Sequence, residues 1–517
     1  MEIGRAGTIS LVGLAGHHVQ VEAHLTSALP AFTIIGLPDA SLSEARDRVR
    51  AAVSSAGFVF PARRITVNLA PASLPKSGSR FDVAIAMALL ASAGVVQIQN
   101  GEKTAFLGEL GLDGAIHPIL GVLPSVLHAK KLGIERIVVP QGNRQEAELI
   151  DGIEIVPVTH LTQLASMFGA EPGEGAPHLF PISNFRVPRT FAPDGSRLAV
   201  ADMSDVIGQE GAKSALEVAA AGGHNILLVG PPGTGKTMLA ERMSSILPHL
   251  SAQEALDVAC VRSLTGDLDP SRGVSTLPPF ESPHHTATSA AIIGGGSAVI
   301  KPGAVSRAHN GVLFLDEAPE FSTRVLQTLR QPLESGEVIV HRASGSARYP
   351  AQFQLILAAN PCPCGGSYGT SRKCVCTSLQ QRRYFSKLSG PLLDRVDIQV
   401  DVLPPVAGTL AARPPENSAA IRARVMAARK RAQARYRSLG WTSNSQASGV
   451  WLRKYVAQDS LAIRELNRLT DAGLLTLRGA DRVLKVAWTL ADLNGKDAPD
   501  VMCISQAIAL RTRTGDS

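Results

Sequence analysis

The octapeptide GPPGTGKT at residues 230–237 restricts the folds open to this chain more than any other stretch of it. It satisfies G-x-x-x-x-G-K-[S/T] in full and follows the apolar run HNILLVG. A strand running into such a loop, with a helix opening on its far side, is the phosphate-cradling unit of a parallel α/β sheet. Gly230, Gly233 and Gly235 let backbone N–H groups turn inward, and Pro231, Pro232 and Thr234 complete the cradle. Lys236 is then placed to neutralise the β- and γ-phosphates of a triphosphate such as ATP, and Thr237 to ligate Mg²⁺. Leu239, Met243, Ile246 and Leu247 give the following helix one apolar stripe.

A second element agrees. In GVLFLDEAPEF an apolar strand ends in Asp316 and Glu317. A strand-end Asp can hold the Mg²⁺ shell, and the adjacent Glu can orient and deprotonate an attacking water. Asn360 ends the strand LILAAN, where its amide can hold the same water from the other side. Arg395, in SGPLLDRVDIQ, has the character of a residue that a neighbouring subunit offers to the γ-phosphate. Arg478, near the start of a helix in LTLRGADRVLKVAWTLADL, is a candidate to reach the γ-phosphate from a helical lid, with Arg482 as runner-up. For any one of these arginines alone, a surface ion pair is the competing reading. Together these elements predict an NTPase.

The 517 residues exceed what one core holds, and the sequence divides accordingly. Residues 1–168 alternate β-branched runs with Ala-rich stretches, as an α/β domain does. Residues 169–197, rich in Pro and Gly, read as a linker; residues 198–402 carry the phosphate loop and the doubly buried strands; residues 403–517 read as helical. The longest uncharged stretch, residues 83–101, is Ala-rich and interrupted by Gly94, so it predicts a buried helix followed by a strand rather than a membrane span. The N-terminus carries Glu2 and no continuous apolar core, which predicts a cytoplasmic protein with reduced thiols. Aromatic residues make up only 4% of the chain, so any nucleic-acid binding would rest on charge rather than stacking; the net charge of +7 is compatible with an anionic partner.

Four of the six cysteines sit in NPCPCGGSYGTSRKCVC, residues 360–376. Cys362, Cys364, Cys374 and Cys376 form two Cys-x-Cys pairs, which could supply a tetrahedral Zn²⁺ site, with Arg372 and Lys373 offsetting its charge. Free thiols are the alternative. The adjacent His284 and His285, read as an extended dipeptide, are expected to point apart and share no metal.

The stretches PPFESPHHTATSAAIIGGGSAVIKPGAVSRAHNGVLFLDEAPEF, LRQPLESGEVIVHRA, NPCPCG and LSGPLLDRVDI resemble the YifB/ComM family of magnesium-chelatase-like AAA+ ATPases, and the likeness extends over essentially the whole chain. It implies Walker A roles for Lys236 and Thr237, and Walker B roles for Asp316 and Glu317. It further implies sensor 1 for Asn360, a trans-acting finger for Arg395, and sensor 2 for Arg478. A homohexameric ring is implied too, as is action as a DNA motor that drives branch migration during recombination of incoming DNA. The alternative is a magnesium-chelatase motor subunit that drives metal insertion into a porphyrin with partner subunits. Ala318 and Trp488 depart from the family pattern, which has Leu and Arg in those slots.

The first domain resembles the Lon-type protease domain, but Arg80 occupies the nucleophile's slot, with Ser79 beside it, and Leu123 occupies that of the general base. A Ser without a base is a poor nucleophile, so the domain is expected to be proteolytically inactive. Lys76 and Arg80 are read as phosphate contacts or as solvated or paired charges. DNA backbone contacts are expected from the loop carrying Lys301 and Arg307 and from a hairpin carrying His341, Arg342 and Arg348. The basic helix at residues 421–437 is a further candidate. Solvated surface charge is the competing reading for all three.

Overall fold

The computed structural model describes residues 3–36, 42, 44–76, 78–98, 103–171, 173, 201–296, 300–342, 345–367, 374–388, 390–404, 416–455, 461–473 and 475–511. Most of the expected linker, together with Arg372 and Lys373 and the Arg342 side chain, lies outside them.

The N-terminal unit is a seven-stranded mixed sheet, in the order Ala31–Ile35, Arg64–Ala70, Ala15–Thr26, Gly4–Val12, Thr104–Phe106, Arg136–Pro140, Glu154–Val158. Val19, Val21, Ala23 and Leu25 alternate inward along its longest strand, as the two-residue period of a strand requires. They cover the helix Asp82–Ser92, which is apolar around its circumference and buried along nearly its whole length. This is the buried helix expected within residues 83–101. The strand expected after it is not formed among the described residues, because residues 95–98 run as irregular chain.

The phosphate-loop unit is a five-stranded sheet, all parallel, in the order Phe280–Glu281, Gly311–Leu315, Phe353–Ala359, Ile226–Val229, Ile398–Asp401. Its strands are buried on both faces, which explains why they read as continuous apolar runs. Ile226 and Leu228 face the C-terminal helices, joining a core with Val425, Ala428, Val483 and Trp488. Leu227 and Val229 face the other way, into a core with Ala304, Leu326 and Leu392.

A buried polar network ties the lower edge of this sheet to the C-terminal domain. His224 Nδ1 lies 3.0 Å from Asp397 Oδ2, and His224 Nε2 lies 2.7 Å from Thr489 Oγ1 on the helix Leu477–Leu493. Arg482 donates to the second Asp397 oxygen. Burial alone would raise the Asp397 carboxyl; the hydrogen bond and charge of His224, with Arg482 and Lys485, outweigh it and hold the group well below the usual carboxylate range. A depressed carboxyl contributes stability that is complete above its unfolded pKa of about 4 and fades as the pH falls below that. Asp397→Asn is therefore expected to cost about 2 kcal/mol at neutral pH, because it leaves the half-buried Arg482 against a neutral partner. The loss should shrink in acid, which denaturant titrations at two pH values would measure.

The helix Ser418–Tyr436 carries most of the basic residues expected to meet DNA, and the structure engages five of them with groups of the protein while leaving Lys430 exposed. Arg422 donates to the Ser245 carbonyl, Arg429 to that of Ala220, and Arg431 to that of Asp492. Arg424 pairs with Glu217 and Glu416, and Arg435 with Asp492. This helix is a packing element. Trp488 stands with its ring 4.3 Å from the Arg435 guanidinium and 5.8 Å from Trp451, so an aromatic cluster occupies the slot where the family has Arg.

The two α/β units share a core. Ala259 and Cys260, on the helix Ala252–Thr265, pack among Ile9, Leu123, Val126 and Val139 of the N-terminal unit. Ser263 Oγ donates to Glu146 Oε1 at 2.5 Å across the same seam. Burial pushes the Cys260 thiol up to about 12, so it acts as a small apolar residue. No helix among the described residues is long and apolar enough to cross a membrane.

Candidate active site

Parallel register gathers the predicted residues at the C-terminal ends of three adjacent strands. Val229 pairs with Ala359 and Leu315 with Leu357, so Gly230, Asn360 and Asp316 follow at one edge. Gly230 has no room for a side chain: a Cβ there would lie 2.2 Å from the Val402 carbonyl oxygen. Gly233 and Gly235 take φ values of 79° and 88°, which L side chains avoid. The helix begins at Lys236. Its Nζ donates to the carbonyls of Gly230 at 2.7 Å and Pro231 at 2.9 Å, and to Asn360 Oδ1 at 3.2 Å. Burial lowers the Lys236 ammonium's pKa, with the charges of Asp316 and Glu317 opposing it.

Thr237 Oγ1 donates to Asp316 Oδ2 at 2.7 Å. A hydroxyl and a carboxylate held this close are the hard oxygen donors that Mg²⁺ takes when its remaining ligands are water and phosphate. Glu317 follows with φ of 48°, a left-handed conformation uncommon for a residue with a long side chain. The turn leaves its carboxylate exposed beside the loop.

Three neighbours of this edge escaped the sequence reading. His285 Nδ1 lies 3.5 Å from Glu317 Oε2. The chain turns at residues 285–286, so the rings of His284 and His285 come to 4.1 Å apart, against the expectation that they diverge. Gln209, itself at φ 60°, donates to the carbonyls of Thr234 and Leu403 and ties the loop to the chain after the last strand. Tyr384 is buried beside the Asn360 backbone, and burial pushes its hydroxyl up to about 12. Only the PHHT peptide and the Gly208–Gln209 pair carried a local hint of these roles.

Arg395 and Arg478 lie elsewhere. Both line a groove at the N-terminal ends of the strands, beside Asn225, Gly311 and Gln354. Asn225 Nδ2 holds the Arg395 carbonyl at 2.8 Å, just before the strand Ile226–Val229. That strand separates the groove from the loop by about 13 Å. Arg395 pairs with Glu334 and with the Pro391 carbonyl, and its buried Nε has no hydrogen-bond partner among the described residues. Burial, then repulsion from Arg330, Arg482 and Arg478, lowers its pKa. The sheet thus carries the phosphate loop at one edge and a crowded arginine groove at the other.

In the N-terminal unit Ser79 Oγ donates to Glu109 Oε2. Arg80 is half-buried, giving its Nη2 to the Leu120 carbonyl at 2.8 Å and its Nη1 to Ser125 Oγ at 3.4 Å. Lys76 is 1% exposed and donates to the carbonyls of Gly36 and Pro71. Both cations give N–H groups to internal carbonyls, and Lys76 is closed off from solvent. Leu123 is buried in the adjoining core.

The four clustered cysteines are free and converge. Cys362 Sγ lies 3.4 Å from Cys364 Sγ and 3.6 Å from Cys374 Sγ, and the last two are 3.7 Å apart. All four Sγ atoms, Cys376 included, lie within 4.8 Å of one another. A tetrahedron with Zn–S bonds of about 2.3 Å has edges of about 3.8 Å, so the donor set fits that ion. The backbone N–H groups of Gly366 and Ser367 donate to Cys364 and Cys362 at 3.4 and 3.3 Å. Burial pushes the Cys362 thiol up, while backbone N–H groups of Gly366 and Val375 pull Cys364 down.

Comparison with known proteins now bears on these features. Residues 202–409 match the family described as magnesium chelatase, subunit ChlI; residues 21–143 match subunit ChlI of Mg-chelatase; residues 415–511 match the ChlI C-terminal family. The protein YifB of Escherichia coli is 40% identical over 515 residues, covering 99% of this chain and 97% of its own. The competence protein ComM of Haemophilus influenzae is 39% identical over 505 residues, covering 97% and 96%. The magnesium-chelatase 38 kDa subunit of Rhodobacter capsulatus is 30% identical over 174 residues, which is 31% of this chain and 49% of that subunit. With matches that run from end to end, on a parallel sheet that carries a phosphate loop and a helical C-terminal domain, this chain belongs to the YifB/ComM family of magnesium-chelatase-like AAA+ proteins.

Proposed function

We propose that this protein is a Mg²⁺-dependent ATPase whose copies close into a six-membered ring in the cytoplasm and act as a ComM-like motor on branched or single-stranded DNA. The observation that carries the reading is the placement of the loop at one edge of the sheet and the arginine groove at the other. Head-to-tail stacking then joins one protomer's cradle to the next protomer's groove, and repetition closes a ring. The loop backbone of residues 230–235 and Lys236 bind the phosphates; Thr237 and Asp316 hold Mg²⁺, which offsets charge on the triphosphate. Glu317 accepts a proton from the attacking water, and Asn360 orients that water. Arg395 and Arg478 act on the neighbour's γ-phosphate, whose charge relieves the crowding of cations in the groove. Cys362, Cys364, Cys374 and Cys376 hold Zn²⁺.

DNA binding is supported by the exposed Lys301 and by the hairpin Glu337–Arg342 and Gly345–Pro350. The hairpin buries Val338, Val340, Ala347 and Tyr349 on one side and leaves His341 exposed on the other. Arg307 pairs with Glu281 at 3.0 Å and Arg348 with Glu337 at 3.3 Å, so they contribute less free charge than the sequence suggested. The full-length reach of the likeness to ComM and YifB, against 31% for the chelatase subunit, favours the DNA motor over metal insertion. The N-terminal unit, with Arg80 and Leu123 in place of a catalytic pair, performs no proteolysis. The test is ATP turnover with and without a four-way DNA junction, together with displacement of its strands. Stimulation and displacement are expected from the wild type and neither from Lys236→Ala. Turnover indifferent to every DNA structure would refute the DNA reading.

A further inference from the structure

Resting on the assignment of residues 230–237 as the triphosphate site, we infer that the four-cysteine knuckle braces that site, so that Zn²⁺ on its thiols sets nucleotide affinity from outside the phosphate cradle.

Two separate contacts carry this. The first is backbone against loop. Gly365, which follows the exposed Cys364 and donates its N–H to the Cys362 carbonyl at 2.9 Å, is buried with φ of 72°. A Cβ on it would lie 2.6 Å from Cδ and 2.7 Å from Cγ of Pro232. The knuckle therefore rests directly on the phosphate loop, at a point where only glycine fits.

The second contact runs through a helix. Ser378–Ser386 starts just after Cys376 and is fixed by a capping box between Thr377 and Gln380. Gln381 Nε2 donates to Cys374 Sγ at 3.5 Å and to Ser367 Oγ at 3.4 Å. Three positions on, on the same face, Tyr384 is buried beside the Asn360 backbone, and Asn360, two residues before Cys362, takes the Lys236 ammonium at its Oδ1. The thiol cluster is thus tied to the helix by Gln381 and to the anchor of Lys236 by the short chain from Asn360 to Cys362.

The knuckle has little apolar cover of its own: Pro363, Cys364 and Val375 are exposed. Four thiolates repel one another unless a cation joins them, and a metal can supply folding energy that such a loop lacks. Loss of the ion then frees Gly365 from Pro232 and Gln381 from Cys374 together.

The experiment uses the full-length chain. Bound zinc is measured by release to a chromogenic chelator, and affinity is measured with a fluorescent ATP analogue before stripping, after stripping and after adding Zn²⁺ back. Stripped protein with an unchanged circular dichroism spectrum is expected to bind the nucleotide about tenfold more weakly and to recover on addition of the metal, in line with the effect of outer-shell partners at metal sites. Gly365→Ala, whose methyl would press on Pro232, should keep its zinc and its fold yet bind the nucleotide more weakly, an effect that a knuckle standing clear of the phosphate loop would not produce. Stripped protein with undiminished affinity would overturn the brace while leaving the triphosphate site intact. A wild type that takes up no zinc would overturn the metal assignment. A zinc-loaded protein indifferent to Lys236→Ala would overturn the triphosphate reading itself.

Discussion

Glu317→Gln should leave ATP binding intact and lower its hydrolysis by about 10³-fold, equivalent to about 4 kcal/mol of barrier. The carboxylate is exposed at a left-handed turn just after Leu315, with Asp316 Oδ1 holding its N–H at 2.9 Å. An amide of the same shape keeps that turn and loses only the proton acceptor. The variant is therefore expected to accumulate as an ATP-bound assembly, visible as retained nucleotide after gel filtration. Lys236→Ala separates the roles, because it removes the cation that meets the phosphates and so abolishes retention as well as turnover. If Glu317→Gln hydrolysed ATP at the wild-type rate, another base would have to be sought, and His285, 3.5 Å from Glu317, is the first to test.

The second large effect concerns the opposite edge of the sheet. Arg395→Ala is expected to lower turnover by about 10³-fold or more, the scale on which an arginine finger acts. Its diagnostic is complementation. Arg395 lies across a strand from its own protomer's loop, so Lys236→Ala and Arg395→Ala proteins, each inactive alone, should regain activity when mixed. In mixed rings some cradles with an intact Lys236 abut grooves with an intact Arg395. Loss of the side chain also removes repulsion against Arg330, Arg478 and Arg482, so the variant is expected to fold at least as well as the wild type. Mixtures that stay inactive despite forming rings would place Arg395 outside the neighbouring site.

The phosphate loop, the paired acids and Asn360 were legible in the sequence because each sits where an apolar strand ends, and parallel strands bring such ends together without further information. Residues whose role depends on what another segment brings near them were not legible. Arg422, Arg429 and Arg431 looked like a basic face; their destinations are carbonyls on distant elements, which no helical period encodes. Lys76 and Arg80 misled in the same way. The His284–His285 pair was read as extended, whereas a turn at residues 285–286 stacks the rings and brings His285 to Glu317. The cysteine pairs could be read as donors by type and spacing, but their seat on Pro232 could not, since it depends on one glycine's fit against a loop 130 residues away in sequence.

The seam between the first two units has a practical corollary. Because Ala259 and Cys260 are keyed among Ile9, Leu123 and Val126, scissors applied at residues 169–197 would not release a well-behaved phosphate-loop fragment. They would uncover a greasy scar on both halves. Any twist of the phosphate-loop sheet must also carry the leading domain with it, because the two have no apolar surfaces of their own to part along at this seam.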